Sequence, residues 1–330
     1  LCSSMSKKES KQFRGFIFYM LETTYQCLNA NDSVNLRLCL ESLNDLCNCE
    51  PKILRKSFSD LFVLMGKIIE NKNTEDSLRE IAFELLITLI EATPKVIEKD
   101  TDKLNQLIQA LFKYAMEIDS TIDEEWLRPS MENYIADEFI PEDKLDTATS
   151  QLIRLFEVIN EKTILPIVSN NISELLQHAG SDWKYKYIAY ITIAEIVEFI
   201  PEMNSITSLI EMILNDLNNE NVKIQYACLY CIAELAEGQS TEFQNEYHAR
   251  IIPALFALLK QTNVLRIQIQ ICDALDCFIE HVTDQQASQY IQSGLDVLFG
   301  LFIKDDNECP MSLKEGILNV VNQFIDASSD

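Results

Sequence analysis

The sequence has 330 residues, of which 47% are apolar and only 7 are glycine. A chain of this length can bury a large core, and its shortage of glycine argues against folds rich in strands and loops, so we expect helices to dominate. The 52 acidic residues against 27 Lys and Arg leave a formal net charge of -25. Binding to nucleic acid and to anionic membranes depends on attraction to phosphate, so this charge disfavours both and favours a basic partner.

A recurring phrase marks internal repeats along the chain. It consists of a polar turn, a branched or aromatic residue, a basic or amide residue, and then an apolar helix with small residues. The steps between its helix starts are about 37 to 47 residues, with one gap of double length, which is the period of HEAT and armadillo arrays. The phrase begins at six positions, which are Asn31, Thr74, Ser181, Asn219, Thr262 and Glu308.

A further amphipathic helix is predicted between successive phrases. Apolar residues recur there at helical spacing, as in the stretch from Ile53 through Leu61 to Ile68. Two helices per repeat favour HEAT over armadillo, and a single hairpin cannot bury both of its faces, so neighbouring hairpins must stack. We therefore predict an all-α fold, a right-handed α-α superhelix of about seven helical hairpins that forms one array over residues 1–330. Both ends lack polar capping repeats, which predicts a segment of a longer array.

The third hairpin carries an insertion at residues 119–141. It is acidic, contains Pro129 and separates two helices that would otherwise be joined by a short turn. Its length and its aromatic residues favour an ordered arm with a binding or regulatory role, and the alternative is a solvated loop. The residues that carry this prediction are Asp123, Glu124, Glu125, Trp126, Asp137 and Glu138.

The sequence offers little support for catalysis, a cofactor or a metal site. Cys228 and Cys231 have the spacing of metal ligands, but they lie in an apolar helix with no second Cys or His pair nearby, so we interpret them as core thiols in a reducing compartment. The three histidines fall in different hairpins, and no nucleotide-binding, zinc-protease or nucleophile-elbow motif occurs. No apolar run is long enough to span a membrane, and the amino-terminal residues do not resemble a signal peptide. We predict that the protein is not an enzyme and acts by binding.

Several consecutive phrases resemble the importin-β (karyopherin-β) family of nuclear import receptors. These are SDWKYKYIAYITIAEI, NVKIQYACLYCIAELAEG and NVLRIQIQICDAL, preceded by the acidic insertion one repeat earlier. The resemblance covers about residues 25 to 330. It implies an import receptor that binds basic cargo proteins through their nuclear localisation segments and releases them to Ran-GTP. It also implies docking of phenylalanine-glycine (FG) nucleoporins and shuttling between cytoplasm and nucleus.

The resemblance also indicates where cargo would bind. In this family the second helix of each hairpin lines the concave surface, and acidic residues recur on these helices at spacings that place them on one helix face. Such a ladder could receive Lys side chains, although any single acid could equally be solvated helix surface. A static HEAT scaffold, such as a phosphatase regulatory subunit, is the alternative function. The candidate cargo-binding residues are Trp183, Glu195, Glu198, Glu234, Glu237, Asp273, Asp276 and Glu280.

Two aromatic residues occupy the same place in successive phrases. Tyr187 and Tyr226 are each followed by small residues, which favours packing between repeats. Trp183 lies at the start of its helix, where its ring could stack on the alkyl stem of a cargo Lys.

Overall fold

The computed structural model describes residues 7–129 and 143–327. The described residues are predominantly helical and contain no strand. Two of the predicted insertion residues, Asp137 and Glu138, lie outside the described part of the chain.

The principal helices follow one another in pairs joined by short turns. Their bounds are α1 Lys7–Asn29, α2 Ser33–Cys49, α3 Pro51–Leu54, α4 Phe58–Glu70, α5 Asp76–Ala92, α6 Thr101–Ala115, α7 Glu124–Leu127, α8 Asp143–Val158, α9 Glu161–His178, α10 Trp183–Glu195, α11 Thr207–Asp216, α12 Val222–Gly238, α13 Glu242–Gln261, α14 Leu265–Glu280, α15 Asp284–Ala287, α16 Ile291–Phe302 and α17 Met311–Asp326.

Over the described ranges these helices form seven hairpins, as the repeat period predicts. The first helices are α1, α4, α6, α9, α11, α13 and α16, and the second helices are α2, α5, α8, α10, α12, α14 and α17. Six of the second helices contain the recurring phrase. The seventh, α8, fills the gap of double length, and its sequence DKLDTATSQLIRLFEV departs from the phrase because the insertion replaces the usual turn before it.

Polar residues at the phrase starts fix where the second helices begin. Asp32, Asp182 and Asn221 each accept a hydrogen bond from a backbone N–H in the first turn of the helix that follows. These bonds satisfy N–H groups that have no partner within the helix, typically worth about 1 kcal/mol each. The polar turn therefore supplies an N-cap in three of the six phrases, whereas α5, α14 and α17 begin without a side-chain cap.

The chain divides into two compact units. Unit 1 contains residues 1–118 and 143–173, and unit 2 contains residues 119–142 and 174–330, so that the division falls within α9. In unit 1, α2 packs beside α5 and α5 beside α8, while α4 and α6 lie against them as first helices. Buried side chains such as Leu40, Phe83 and Leu86 fill the space between these helices.

A buried arginine ties together the second and third hairpins of unit 1. Arg79 is 3% exposed, and its guanidinium donates two hydrogen bonds to Glu117, at 2.6 and 2.9 Å. Its Nε donates to the carbonyl of Ile69, and its Cζ lies 4.7 Å from the ring centroid of Tyr114. These bonds from Arg79 lower the pKa of Glu117 to about 2. Every polar group of the guanidinium is thus held by the fold.

Replacing Arg79 with Ala should lower the free energy of unfolding of unit 1 by about 3 kcal/mol, because it leaves Glu117 charged without its main partner. Arg37→Ala is the matched control, since the Arg37–Glu75 pair is exposed and its loss should cost less than about 1 kcal/mol. Urea unfolding followed by circular dichroism measures both. Equal losses for the two variants would contradict the structural role assigned to Arg79.

In unit 2 the second helices also pack side by side, α10 against α12, α12 against α14, and α14 against α17. The first helix α13 lies against α14, and α16 against α17. The interior is built from large side chains, and Tyr187, Tyr190, Phe278 and Phe324 are each no more than 2% exposed. This packing holds α10, α12 and α14 as one continuous layer.

Candidate functional site

The helices α10, α12 and α14 run parallel, because residues at corresponding places along them are neighbours. At their starts, the Nζ of Lys223 on α12 lies 5.5 Å from the ring centroid of Trp183 on α10. Towards their ends, the hydroxyl of Tyr230, midway along α12, donates to Glu195, the last residue of α10, at 2.5 Å. The thiol of Cys277 on α14 donates to Glu237 on α12 at 3.2 Å. Side chains from the second halves of all three helices therefore meet at one edge of the layer.

That edge is acidic. The final turns of the three helices contain no basic residue. Carboxylates at the carboxyl end of a helix oppose its dipole, each at a cost of about 0.3 to 1 kcal/mol. We call the seven predicted acids the acidic edge, and they are Glu195, Glu198, Glu234, Glu237, Asp273, Asp276 and Glu280.

Glu234 lies at the centre of the acidic edge. Its side chain is half-buried, and burial together with the charges of Glu195, Glu237 and Glu198 raises its pKa to about 7. The pKa of Asp276 is also raised, chiefly by burial and then by Glu280 and Glu237, although a hydrogen bond from Gln323 opposes the rise. Burial is the larger cause of both rises in pKa, and repulsion from the neighbouring acids adds to it.

Unit 1 shows how the fold neutralises acids when they serve structure alone. Arg154 on α8 reaches Glu84 and Glu91 on α5, at 2.5 and 2.7 Å, and its hydrogen bonds help to lower the pKa of Glu84 against the effect of burial. Among the described residues, by contrast, no Lys or Arg forms an ion pair with Glu198, Glu234, Glu237, Asp276 or Glu280. The acidic edge is therefore suited to receive cations from outside the described chain.

The predicted acids differ in exposure. Glu198, Glu237 and Glu280 are exposed, whereas Glu195, Glu234, Asp273 and Asp276 are partly covered by the helix layer. Neighbouring helices pack closely enough to enclose the second group in part. Whether any of the seven contacts cargo stays a prediction.

The predicted aromatic residues lie at the opposite ends of the helices. Tyr187 and Tyr226 are buried, as the packing interpretation requires. Trp183 is partly exposed and packs edge-on against Tyr187, with rings 5.6 Å apart. The stacking of Trp183 on a cargo Lys stays a prediction, and a Lys of the chain itself, Lys223, already lies over its ring.

The described part of the insertion, residues 119–129, docks on the starts of α12 and α14, and we call it the Trp126 arm. Trp126 is 8% exposed and packs edge-on against Tyr226, with ring centroids 5.9 Å apart. The exposed side chains of Asp123, Glu124 and Glu125 precede it. This supports the expectation of an ordered arm, but Trp126 anchors the arm and is not available at the surface.

Sequence reasoning missed the two basic residues that hold the arm. Lys223 and Arg266 are 2% and 3% exposed, and their charged groups lie 5.4 and 5.2 Å from the ring centroid of Trp126. Both occupy the basic position of the recurring phrase, the same position as Arg79. This shared position could have predicted their role, because a basic residue that is buried at the same place in each repeat needs a partner from elsewhere in the fold.

The structure also bears on the cysteines, on metal binding and on membrane-crossing helices. Cys228 and Cys231 are buried within α12, as their interpretation as core thiols requires, whereas Cys49 is exposed. The described residues contain no cluster of three or more Cys, His, Asp or Glu arranged to hold a metal ion. A membrane-crossing helix is likewise not found among the described helices.

Comparison with known proteins connects this arrangement to a family. Residues 71–166, which include α5, α6 and α8, match the family model described as importin repeat. This part of the chain is therefore similar to importin repeats. It is also 22% identical over 259 residues to importin subunit beta-3 of Saccharomyces cerevisiae, a match that covers 77% of this chain and 23% of that protein. The family resemblance seen in the phrases is confirmed.

Solved karyopherin structures share the fold. Kap121p bound to the extreme C-terminus of the protein phosphatase Cdc14p and Kap121p bound to RanGTP each match with a TM-score of 0.83 and 19% identity. Each match covers 99% of this chain and 32% of the karyopherin. The prediction of an all-α HEAT-repeat fold is confirmed, and the chain spans about a third of the length of these karyopherins.

Replacing Glu234 with Gln should stabilise unit 2 at pH 8 by on the order of 1 kcal/mol and have little effect at pH 4.5. The folded pKa of about 7 exceeds the ordinary 4.5, so the folded chain holds a proton that the unfolded chain has lost. The carboxylate therefore costs more stability as the pH rises through this window. Urea unfolding at the two pH values measures the difference.

Glu242→Gln serves as the control for this variant, since Glu242 is an exposed acid of unit 2 in the first helix α13. Its effect on unfolding should not grow between pH 4.5 and 8 as that of Glu234→Gln does. An effect of Glu234→Gln that is the same at both pH values would contradict the repulsion assigned to the acidic edge.

Proposed function

We propose that this chain is part of an importin-5 type (importin β-3) nuclear import receptor and that its acidic edge binds basic segments of cargo proteins. The observation that carries the proposal is the set of acids at the ends of α10, α12 and α14, five of which have no Lys or Arg partner among the described residues. The overall charge of -25 agrees with a basic ligand. The similarity to importin subunit beta-3 also supports a role in binding import cargo.

The chemistry of binding follows from the repulsion between the acids. A Lys ammonium placed among Glu195, Glu198 and Glu234 would replace repulsion with attraction and would favour the ionised form of Glu234. The ammonium would also complement the negative ends of three parallel helix dipoles. Such long-range attraction speeds encounter and selects basic segments, and it weakens as salt is added.

The other partners belong to the whole receptor. Kap121p has been crystallised with RanGTP, and we propose that Ran-GTP releases cargo from the full-length relative of this chain as well. Small adjustments at each hairpin interface would sum along a HEAT array to the change that release requires. The chain would accordingly shuttle between cytoplasm and nucleus, in keeping with the family.

Docking of FG nucleoporins is proposed for the first helices. A cleft of about 310 Å³ in unit 2 is lined by Pro253, Phe256 and Ala257 of α13 together with Tyr290 and Ser293 beside it. A second cleft of similar volume in unit 1 is lined by residues of α4 and α6, among them Phe62 and Leu107. Both clefts also have polar lining residues, among them Lys67, Glu70 and Lys260, and their apolar parts suit the insertion of single Phe side chains.

Charge reversal at the exposed acids tests the cargo proposal. The chain with Glu198, Glu237 and Glu280 changed to Lys should bind a fluorescent Lys-rich import peptide at least about tenfold more weakly than the parent, because three attractive charges become repulsive. Fluorescence anisotropy measured across a salt series gives the affinities. Binding by the parent should fall as salt increases.

The control reverses three exposed acids on first helices of the same unit, Glu242, Glu246 and Asp296. It changes the net charge equally but leaves the acidic edge intact. Equal losses in the two triple variants would show that only net charge matters. Failure of the folded parent to bind would contradict the cargo proposal and favour the scaffold alternative.

A further inference from the structure

The Trp126 arm is bound to unit 2 much as a peptide ligand is bound by a receptor. The arm begins after α6, contains a single short helix, and places the large side chain of Trp126 against α12 and α14. The Nε of Arg266 donates to the Trp126 carbonyl at 2.7 Å, across 140 residues of sequence, and the Nζ of Lys223 donates to the Asp119 carbonyl at 3.5 Å. Trp is the side chain that most often anchors such contacts.

The surface beneath the arm has its own chemistry. Lys223 and Arg266 supply two buried cations, and Tyr226 supplies an aromatic edge for the indole. The arm presents Trp126 and two backbone carbonyls to this surface, whereas Asp123, Glu124 and Glu125 are exposed. Cations packed over an indole ring attract it through the ring quadrupole, and more strongly when water is excluded. The surface therefore fits a segment with an aromatic anchor whose backbone carbonyls accept from the two cations.

This surface is separate from the acidic edge. Lys223 precedes Glu234 by 11 residues on α12, which corresponds to about 16 Å along a helix. The layer formed by α10, α12 and α14 thus has a basic and aromatic end, covered by the arm, and an acidic end. A ligand at one end does not have to displace a ligand at the other.

Several features indicate that the arm can be displaced. Its helix α7 spans only four residues, Glu124–Leu127, which is too short to be stable by itself. The N–H of the Trp126 indole is buried and has no hydrogen-bond partner among the described residues, which weakens the docked state. A tethered segment binds its own site at an effective concentration on the order of millimolar, so a tighter free ligand can compete.

We propose that Lys223, Tyr226 and Arg266 form a binding site for peptide segments with an aromatic anchor, and that the Trp126 arm is its built-in, displaceable ligand. The docked arm keeps the site closed to other segments of the same chemistry. The proposal is independent of cargo binding at the acidic edge.

A peptide of residues 119–129 tests the site in trans. Labelled and titrated by fluorescence anisotropy, it should bind the whole chain carrying Trp126→Ala, because that variant has lost the anchor of its own arm. It should bind the Arg128→Ala chain at least about tenfold more weakly, since that control keeps the anchor and the arm still competes. The peptide with Ala in place of Trp should bind neither chain.

Equal binding to both chains, or binding to neither while both keep their helical circular dichroism, would overturn the proposal. A second measurement covers the case in which Trp126→Ala does not fold. In the Trp183→Phe chain Trp126 is the only Trp, and its emission should shift to the red when Lys223 and Arg266 are also changed to Ala. An unchanged emission would show that these cations do not hold the arm and would also overturn the proposal.

Discussion

The side-by-side packing of parallel second helices is the constraint on which the rest of unit 2 depends. Because α10, α12 and α14 lie in register, side chains at equivalent phrase positions become neighbours in space. The starts of the helices bring Trp183, Lys223 and Arg266 into contact with one another or with the arm. The ends bring the acids together, so one repeated sequence pattern produces two chemically opposite ends of a single layer.

The acidic end works against the stability of the fold. Carboxylates are placed where helix dipoles are negative and where neighbouring acids repel them, and Glu234 is enclosed enough for its pKa to reach about 7. Unit 1 avoids this with Arg154, which neutralises Glu84 and Glu91 on the second helix α5. Unit 2 thus retains an unfavourable cluster of acids, whereas unit 1 neutralises its own. A binding function would require such a difference.

Much of the fold could be predicted from the sequence because it depends on local, periodic signals. Helix periodicity, the polar turns and the repeat length predict about seven hairpins, and the recurrence of acids on successive second helices predicts that they form a ladder. Contacts across long sequence separations could not be predicted in this way. Arg79 meets Glu117 across 38 residues and Arg266 meets Trp126 across 140, and no periodic pattern specifies either pair. Burial of Glu234 was also missed, since it depends on how closely neighbouring helices pack.

Binding of a cationic segment at the ends of α10, α12 and α14 can be tested by zero-length carbodiimide coupling of a Lys-rich peptide to the whole chain, followed by peptide mapping. This reagent joins a Lys amine only to a carboxylate in contact with it. We expect the cross-links to fall on Glu198, Glu234, Glu237 and Glu280 and to disappear at high salt. Cross-links confined to acids of the first helices, such as Glu242 or Asp296, would contradict binding at these helix ends.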